Sequence, residues 1–200
     1  IGWSGDAKTF WIATNERNPQ MFDLYAYDAT TFARKLVFEN SDYFVTAVSP
    51  DSKWLALTKE NSSADSDVYL ADLTKPAKQT PVLITPNDAV IAYGAYDFTP
   101  DSKQLVYSTD EFGEYNQAWT YDLASKEKKE LIKADWDVMF VMYSPTGKYR
   151  VSGINEDAST KLTILDQTSG KPVAVTGVPT GDINNVRFNR DESKIAFTVA

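Results

Sequence analysis

The side chains of this sequence that could do chemistry are carboxylates and hydroxyls, because its 200 residues include no histidine and no cysteine. Histidine is the commonest general base, the middle member of a Ser-His-Asp triad and the commonest metal ligand. Cysteine would supply a thiolate nucleophile or a disulfide. No pattern of ligands predicts a metal or a cofactor. We therefore expect this chain to have no catalytic activity of its own.

Residues 2–6 (GWSGD) contain the serine that most resembles a catalytic nucleophile. A nucleophile elbow has the pattern Gly-x-Ser-x-Gly, which exposes its serine on a sharp turn between a strand and a helix. Asp6 stands where the final glycine should be. Ser4 also falls in register with Ser49 and Ser144 of the repeats described below, so the sequence favours a structural turn.

The elements that must position these side chains repeat along the chain. Five segments share a Ser-Pro-Asp-x-Lys type turn followed by an apolar stretch, and they begin 45 to 50 residues apart. They are residues 3–14 (WSGDAKTFWIAT), 48–58 (VSPDSKWLALT), 98–108 (FTPDSKQLVYS), 143–152 (YSPTGKYRVS) and 188–198 (FNRDESKIAFT). A period of this length is typical of propellers and solenoids.

A second motif keeps step with the first and ends in an aspartate. It occurs at residues 24–28 (LYAYD), 68–72 (VYLAD), 118–122 (AWTYD) and 162–166 (LTILD). Short β-branched and aromatic segments between turn-forming residues predict strands. Four strands fit each period, and in the second unit they are predicted at residues 43–48, 54–58, 68–73 and 81–85.

The first turn of each unit has a specific predicted geometry. Pro50 suits the second position of a type I turn, Asp51 suits the third, and the next residue should be left-handed. The predicted left-handed residues are Ala7, Ser52, Ser102, Gly147 and Ser193. The turn residues Ser49, Pro50, Asp51, Pro100, Asp101, Pro145 and Gly147 are therefore interpreted as structural.

An antiparallel unit of four strands cannot cover both of its faces, so such units stack around an axis. The predicted fold is all-β, a β-propeller of four-stranded antiparallel blades with about four and a half blades and an incomplete ring. The single domain spans 1–200, with repeat units at about 1–42, 43–90, 91–136, 137–181 and 182–200. We expect the chain to be part of a longer polypeptide, or to self-associate through open propeller edges.

Charge restricts the expected partners. Lys and Arg number 20 against 28 Asp and Glu, a net charge of −8. This balance disfavours nucleic acid and anionic membranes, and it favours cationic groups such as a free peptide amine. The longest apolar run, residues 138–143, is too short to cross a bilayer, so we expect no membrane insertion.

The turn and the aspartate-ending strand together resemble the propeller repeats of the prolyl oligopeptidase and dipeptidyl peptidase family of serine peptidases, and of TolB and tricorn-type propellers. The resemblance covers all 200 residues. It implies a propeller that precedes a catalytic α/β-hydrolase domain in the same polypeptide and that gates or binds peptide substrates. With the absent cysteines, it favours a periplasmic or secreted bacterial protein.

Four acidic segments are predicted as loops between second and third strands, on one face of the propeller: residues 15–18, 60–67, 110–115 and 155–157. Some members of the family hold a substrate's α-ammonium with propeller carboxylates. The resemblance makes Asp110, Glu111 and Glu114 the candidate amine contacts here, while the residues themselves favour an ordinary solvated acidic loop. A stand-alone TolB-like propeller that binds another protein is the alternative function, and a propeller glycosidase is a third.

Overall fold

The computed structural model describes residues 2–200 as five sheets of antiparallel strands. Blade 1 comprises β1 (Gly2–Trp3), β2 (Thr9–Asn18), β3 (Met21–Asp28) and β4 (Arg34–Phe38). Blade 2 comprises β5 (Phe44–Val48), β6 (Trp54–Ser62), β7 (Asp65–Asp72) and β8 (Val82–Leu83). Blade 3 comprises β9 (Tyr93–Phe98), β10 (Gln104–Thr109), β11 (Gln117–Asp122) and β12 (Lys128–Ile132).

The remaining strands form one full and one partial blade. Blade 4 comprises β13 (Val138–Tyr143), β14 (Tyr149–Glu156), β15 (Ser159–Asp166) and β16 (Lys171–Pro172), and blade 5 comprises β17 (Ile183–Phe188) and β18 (Ile195–Val199). In each blade consecutive strands are hydrogen-bonded neighbours, as in an antiparallel meander. The predicted fold class is confirmed, and the ring is not closed.

The blades pack through faces set by the two-residue period of the strands. On blade 1, Trp11 and Leu24 point toward blade 2, where they form one buried cluster with Leu55 and Leu57. Three further clusters join blade 2 to blade 3, blade 3 to blade 4 and blade 4 to blade 5. Each fully buried Leu or Val contributes about 1.5–3 kcal/mol relative to an exposed one. Stacking of blades therefore supplies the core.

The first strand of each blade lies innermost, where neighbouring blades meet. β5 contacts β9, and β9 contacts β13. Within residues 2–200 no helix has the length and hydropathy needed to cross a lipid bilayer.

The first hairpin turns have left-handed residues near their ends. Ser52 has a φ of 62°, Ser102 of 58° and Gly147 of 78°. In blade 5 the left-handed residue is Glu192, with a φ of 59°, and the prediction of Ser193 was wrong. The turn begins at Asn189, whose amide binds the carbonyl of Lys194, so Glu192 holds the place that Ser52 holds in blade 2.

The second hairpins differ from the predicted long acidic loops. In blades 1, 2 and 4 the strands continue almost to the tip, and only residues 19–20, 63–64 and 157–158 lie between them. Most of residues 15–18 and 60–67 is strand instead, because the paired backbone extends beyond the sheet's core. Blade 3 alone has a true loop here, at residues 110–116.

Candidate functional site

The serine side chain of the repeat turn makes hydrogen bonds within that turn. The Ser49 hydroxyl donates to Oδ1 of Asp51 at 2.6 Å and accepts the amide of Trp54 at 2.9 Å. The Thr99 hydroxyl makes the corresponding bonds to Asp101 and Gln104 in blade 3. Each hydroxyl thereby satisfies a strand amide that would otherwise lack a partner.

Neighbouring turns also bind one another across the blades. The amide of Asp51 donates to Oγ of Ser102 at 3.0 Å, and the amide of Gly5 donates to the carbonyl of Pro50 at 3.2 Å. Gly147 packs against Pro100 so closely that a Cβ atom at Gly147 would lie 2.2 Å from Cγ of the proline. The turn residues therefore link successive blades on one face of the propeller.

Ser4 follows the same pattern as Ser49. Its side chain is only 7% exposed, donates to Oδ1 of Asp6 at 2.7 Å and accepts the amide of Thr9 at 3.0 Å. It lies in a hairpin turn between two strands, whereas a nucleophile elbow leads from a strand into a helix. The geometry of Ser4 is that of a turn residue.

The aspartate of the second motif has a role that sequence reasoning left unassigned. Oδ1 of Asp28 accepts the amides of Thr30 and Thr31, and these bonds hold the pKa of Asp28 below its ordinary value. Asp122 and Asp166 accept equivalent pairs of amides. Such Asx turns start the hairpin that leads to the outermost strand. The fixed spacing of these aspartates was the signal that could have revealed it.

The candidate amine contacts lie on the loop at residues 110–116 of blade 3. Oδ1 of Asp110 accepts the amide of Ala92 at 2.9 Å, which ties the loop to the connection between blades 2 and 3. Oε2 of Glu111 accepts the hydroxyl of Tyr93 at 2.8 Å. Burial raises the pKa of the Tyr93 hydroxyl, and the adjacent Glu111 carboxylate raises it further. One oxygen of each carboxylate is therefore already occupied.

Glu114 differs from the other two candidates. It is exposed, and among residues 2–200 its carboxylate has no hydrogen-bond or ion-pair partner. The amide of the following Asn116 donates to Oδ1 of Asp137 at 2.7 Å, so the far end of the loop is anchored to the connection between blades 3 and 4. The loop that carries Glu114 is therefore anchored at both of its ends.

Aromatic rings flank these carboxylates. Phe112 is 57% exposed and stacks on Trp119 with ring centroids 4.4 Å apart. Tyr115 lies against Trp136, with centroids 6.1 Å apart. An exposed surface that combines carboxylates with aromatic faces suits an ammonium group carrying an apolar side chain.

Sequence reasoning missed a cleft of about 500 Å³ near the propeller axis, lined by the innermost strands β9, β13 and β17. Beside it, Asp97 of β9 accepts the amides of Phe98 and Tyr143, which joins blade 3 to blade 4. Burial raises the pKa of Asp97 to about 6, although these amides and Arg187 oppose the rise. Among residues 2–200, no three His, Cys, Asp or Glu side chains gather as a metal site would require.

Solved structures show where this fold recurs. TolB from Acinetobacter baumannii is 22% identical with a TM-score of 0.68, and the match covers 97% of this chain and 46% of that one. Prolyl oligopeptidase B from Galerina marginata is 15% identical with a TM-score of 0.64, and the match covers 100% of this chain and 30% of that one. A structure from work on two prolyl endopeptidases is 20% identical with a TM-score of 0.63, covering 98% of this chain and 31% of that one.

The chain thus spans less than half the length of these three structures. No curated protein gives a significant match. A family model described as the N-terminal beta-propeller domain of prolyl oligopeptidase matches residues 1–200. Together with the repeat turns and the stacked four-stranded blades, this match shows that the chain belongs to the prolyl oligopeptidase N-terminal β-propeller family.

Proposed function

We propose that this propeller is the non-catalytic domain of a prolyl-oligopeptidase-type serine peptidase. In this proposal it packs on an α/β-hydrolase domain of the same polypeptide and controls which peptides reach the catalytic residues. The match of the family model to residues 1–200 carries the proposal. The absence of histidine from the chain supports it, since a Ser-His-Asp triad would need its histidine from another domain.

The test is to express the entire polypeptide that contains this chain and to assay cleavage of oligopeptides and of a folded protein. We expect oligopeptides to be cleaved and the folded protein to be spared. A version lacking the propeller should lose this selectivity, because nothing would then screen large substrates. A polypeptide with no α/β-hydrolase domain, or with no peptidase activity, would refute the proposal.

We further propose that the loop at residues 110–116 contacts the free amine of a peptide substrate. Glu114 offers an unpaired carboxylate, while Asp110 and Glu111 each retain one oxygen outside the internal bonds described above. Phe112 and Tyr115 offer apolar contact to the first side chain. The overall negative charge of the chain favours approach of a cation.

Substitution of Glu114 tests this contact most cleanly, because its side chain supports no internal bond. Glu114→Gln in the entire polypeptide should raise KM about threefold to tenfold for a peptide with a free amino terminus. The N-acetylated form of the same peptide should be unaffected. Equal effects on the two peptides, or no effect on either, would exclude an amine contact at Glu114.

A stand-alone, TolB-like interaction module is the second candidate. Its supporting observation is the TM-score of 0.68 with TolB from Acinetobacter baumannii, a value above those for the two peptidase structures. A stable protein partner recovered with a polypeptide that carries no hydrolase domain would favour this candidate.

A further inference from the structure

The cleft near the propeller axis is lined by residues of opposite charge. Its wall includes Asp182, Asn184 and Arg187 from blade 5 and Met139 from blade 4. Asp182 precedes β17, on the face where the blades are connected, and Arg187 lies near the opposite end of that strand. We call this space the axial cleft. Its charges, spacing and wall chemistry indicate what it can bind.

Asp182 lacks the structural bonds that its repeat equivalents make. The corresponding residues are Asp42 and Asp137, which lie seven positions before Ser49 and Ser144, just as Asp182 lies seven positions before Asn189. Asp42 pairs with Nζ of Lys59 at 2.9 Å, and Asp137 accepts the amide of Asn116 at 2.7 Å. Among residues 2–200 the carboxylate of Asp182 has neither a hydrogen bond nor an ion pair. It is therefore available to a ligand.

Arg187 is likewise not explained by the repeat. Arg187 lies two positions before Asn189, the first residue of its turn. The residues at the same position in blades 2, 3 and 4 are Ala47, Asp97 and Met142, so the fold does not require a cation there. Nη1 of Arg187 donates to the carbonyl of Val186 at 2.7 Å. A guanidinium has five donors in a planar fork that suits a carboxylate. Within residues 2–200 the guanidinium of the exposed Arg187 makes no other hydrogen bond and no ion pair, although its charge also acts on the nearby Asp97 carboxylate.

The backbone separation of Asp182 and Arg187 suits a short peptide. The five residue steps between them span roughly 16 Å in a regular strand. The bulge between Asn184 and Arg187, where Asn185 has a φ of 54°, shortens that span somewhat. An extended tetrapeptide measures roughly 13–14 Å from end to end.

The wall between the charges suits a peptide rather than a compact ion. Met139 is 51% exposed, and Met142 and Phe140 line the same side. Methionine adapts to side chains of varied shape. The amide of Asn184 can both donate to and accept from a peptide backbone.

We propose that the axial cleft binds an extended peptide of about four residues with free ends, its α-ammonium at Asp182 and its α-carboxylate at Arg187. This inference rests on the proposed peptide-handling function and names a peptide class and an orientation for it. The site is distinct from the loop at residues 110–116, since the two share no residue.

Calorimetric titration of the 200-residue chain with tetraalanine, its N-acetyl form and its C-terminal amide tests the proposal. Free tetraalanine should bind, and each cap should weaken binding about tenfold because it removes one charge-assisted contact. In the Asp182→Asn variant, the N-acetyl cap should not weaken peptide binding any further. In the Arg187→Gln variant, the C-terminal amide should not weaken peptide binding any further.

Asp88→Asn and Arg190→Gln are matched controls, because both residues are exposed and lie outside the cleft. They should bind tetraalanine like the unaltered chain, and circular dichroism should show all four variants folded. Equal binding of free and capped peptides, unchanged binding in both cleft variants, or no binding of any peptide would overturn the proposal. Peptidase activity of the entire polypeptide reports on the proposed function separately and can persist through each of these results.

Discussion

Tyr107 of β10 is fully buried, and its hydroxyl has no hydrogen-bond partner among residues 2–200. A buried polar group without a partner destabilises a fold, so Tyr107→Phe should raise the free energy of unfolding by about 1 kcal/mol. Tyr93→Phe is the matched control, because the neighbouring Tyr93 donates to Glu111. It should lower that free energy by about 1 kcal/mol. Urea unfolding measures both, and a destabilised Tyr107→Phe variant would contradict the expectation.

Asp97 should make stability depend on pH in a direction opposite to that of aspartates such as Asp28 and Asp122, whose pKa is lowered in the folded chain. Its pKa of about 6 in the folded chain exceeds the ordinary value of 3.8, so the folded state binds the proton more tightly than the unfolded state. Its contribution to stability is therefore most favourable below about pH 4 and declines as the pH rises to about 6. Above that pH it is constant.

Comparison with Asp97→Asn isolates this effect from the other carboxyl groups. Relative to the variant, the unaltered chain should lose up to about 3 kcal/mol of unfolding free energy between pH 4 and pH 7. Urea unfolding across this range measures the difference. A difference that does not change with pH would show that Asp97 titrates normally.

At the level of elements, the repeat turns were the most predictable part of the chain. Proline, aspartate and a left-handed residue act through local backbone preferences, so their spacing predicts a hairpin without knowledge of the rest. The contact between Gly147 and Pro100 was not predictable, because it depends on how two blades stack. The strand ends at residues 60–67 were also missed, since backbone pairing there overrides the polar composition.

Gly147→Ala should destabilise the chain by about 3 kcal/mol. Its φ of 78° strains any side chain, and the added methyl group would collide with Pro100. Ser52→Gly is the opposite test at the equivalent turn position, and relief of its left-handed strain should stabilise the chain by about 0.5–1 kcal/mol. Thermal or urea unfolding measures both changes. Equal stability of Gly147→Ala and the unaltered chain would mean that the two turns do not pack tightly.

For the whole molecule, the periodicity of the sequence predicted that the blades stack. It did not predict the role of residues at positions where the blades differ from one another. Arg187 occupies a register position that other blades fill with other residue types, whereas Asp182 matches Asp42 and Asp137 in type but lacks their bonds. Only the fold shows that Asp182 and Arg187 line one cleft. Asp110 and Glu111 were recognisable as acidic residues on a loop. Their bonds to Ala92 and Tyr93 depend on the path of the connection between blades, which sequence periodicity does not describe.

Blade 1 presents a second apolar face that no other blade covers within residues 2–200. Phe10 stacks on Tyr27 with centroids 5.1 Å apart and contacts Trp3 and Phe32, which are 64% and 68% exposed. On blade 2 the corresponding face, with Leu55 and Leu57, is buried against blade 1. An exposed aromatic cluster of this kind favours association.

We therefore expect the 200-residue chain to self-associate through this face, most simply as a symmetric dimer that pairs two copies of the same patch. Replacing Trp3 and Phe32 with serine should shift the chain toward monomer in sedimentation velocity, because the exposed aromatic area is lost. Val90→Ser is the control, since Val90 is equally exposed but lies in the connection between blades 2 and 3. It should leave the association unchanged. An unaltered chain that stays monomeric at high micromolar concentration would show that the aromatic face of blade 1 does not drive pairing of copies.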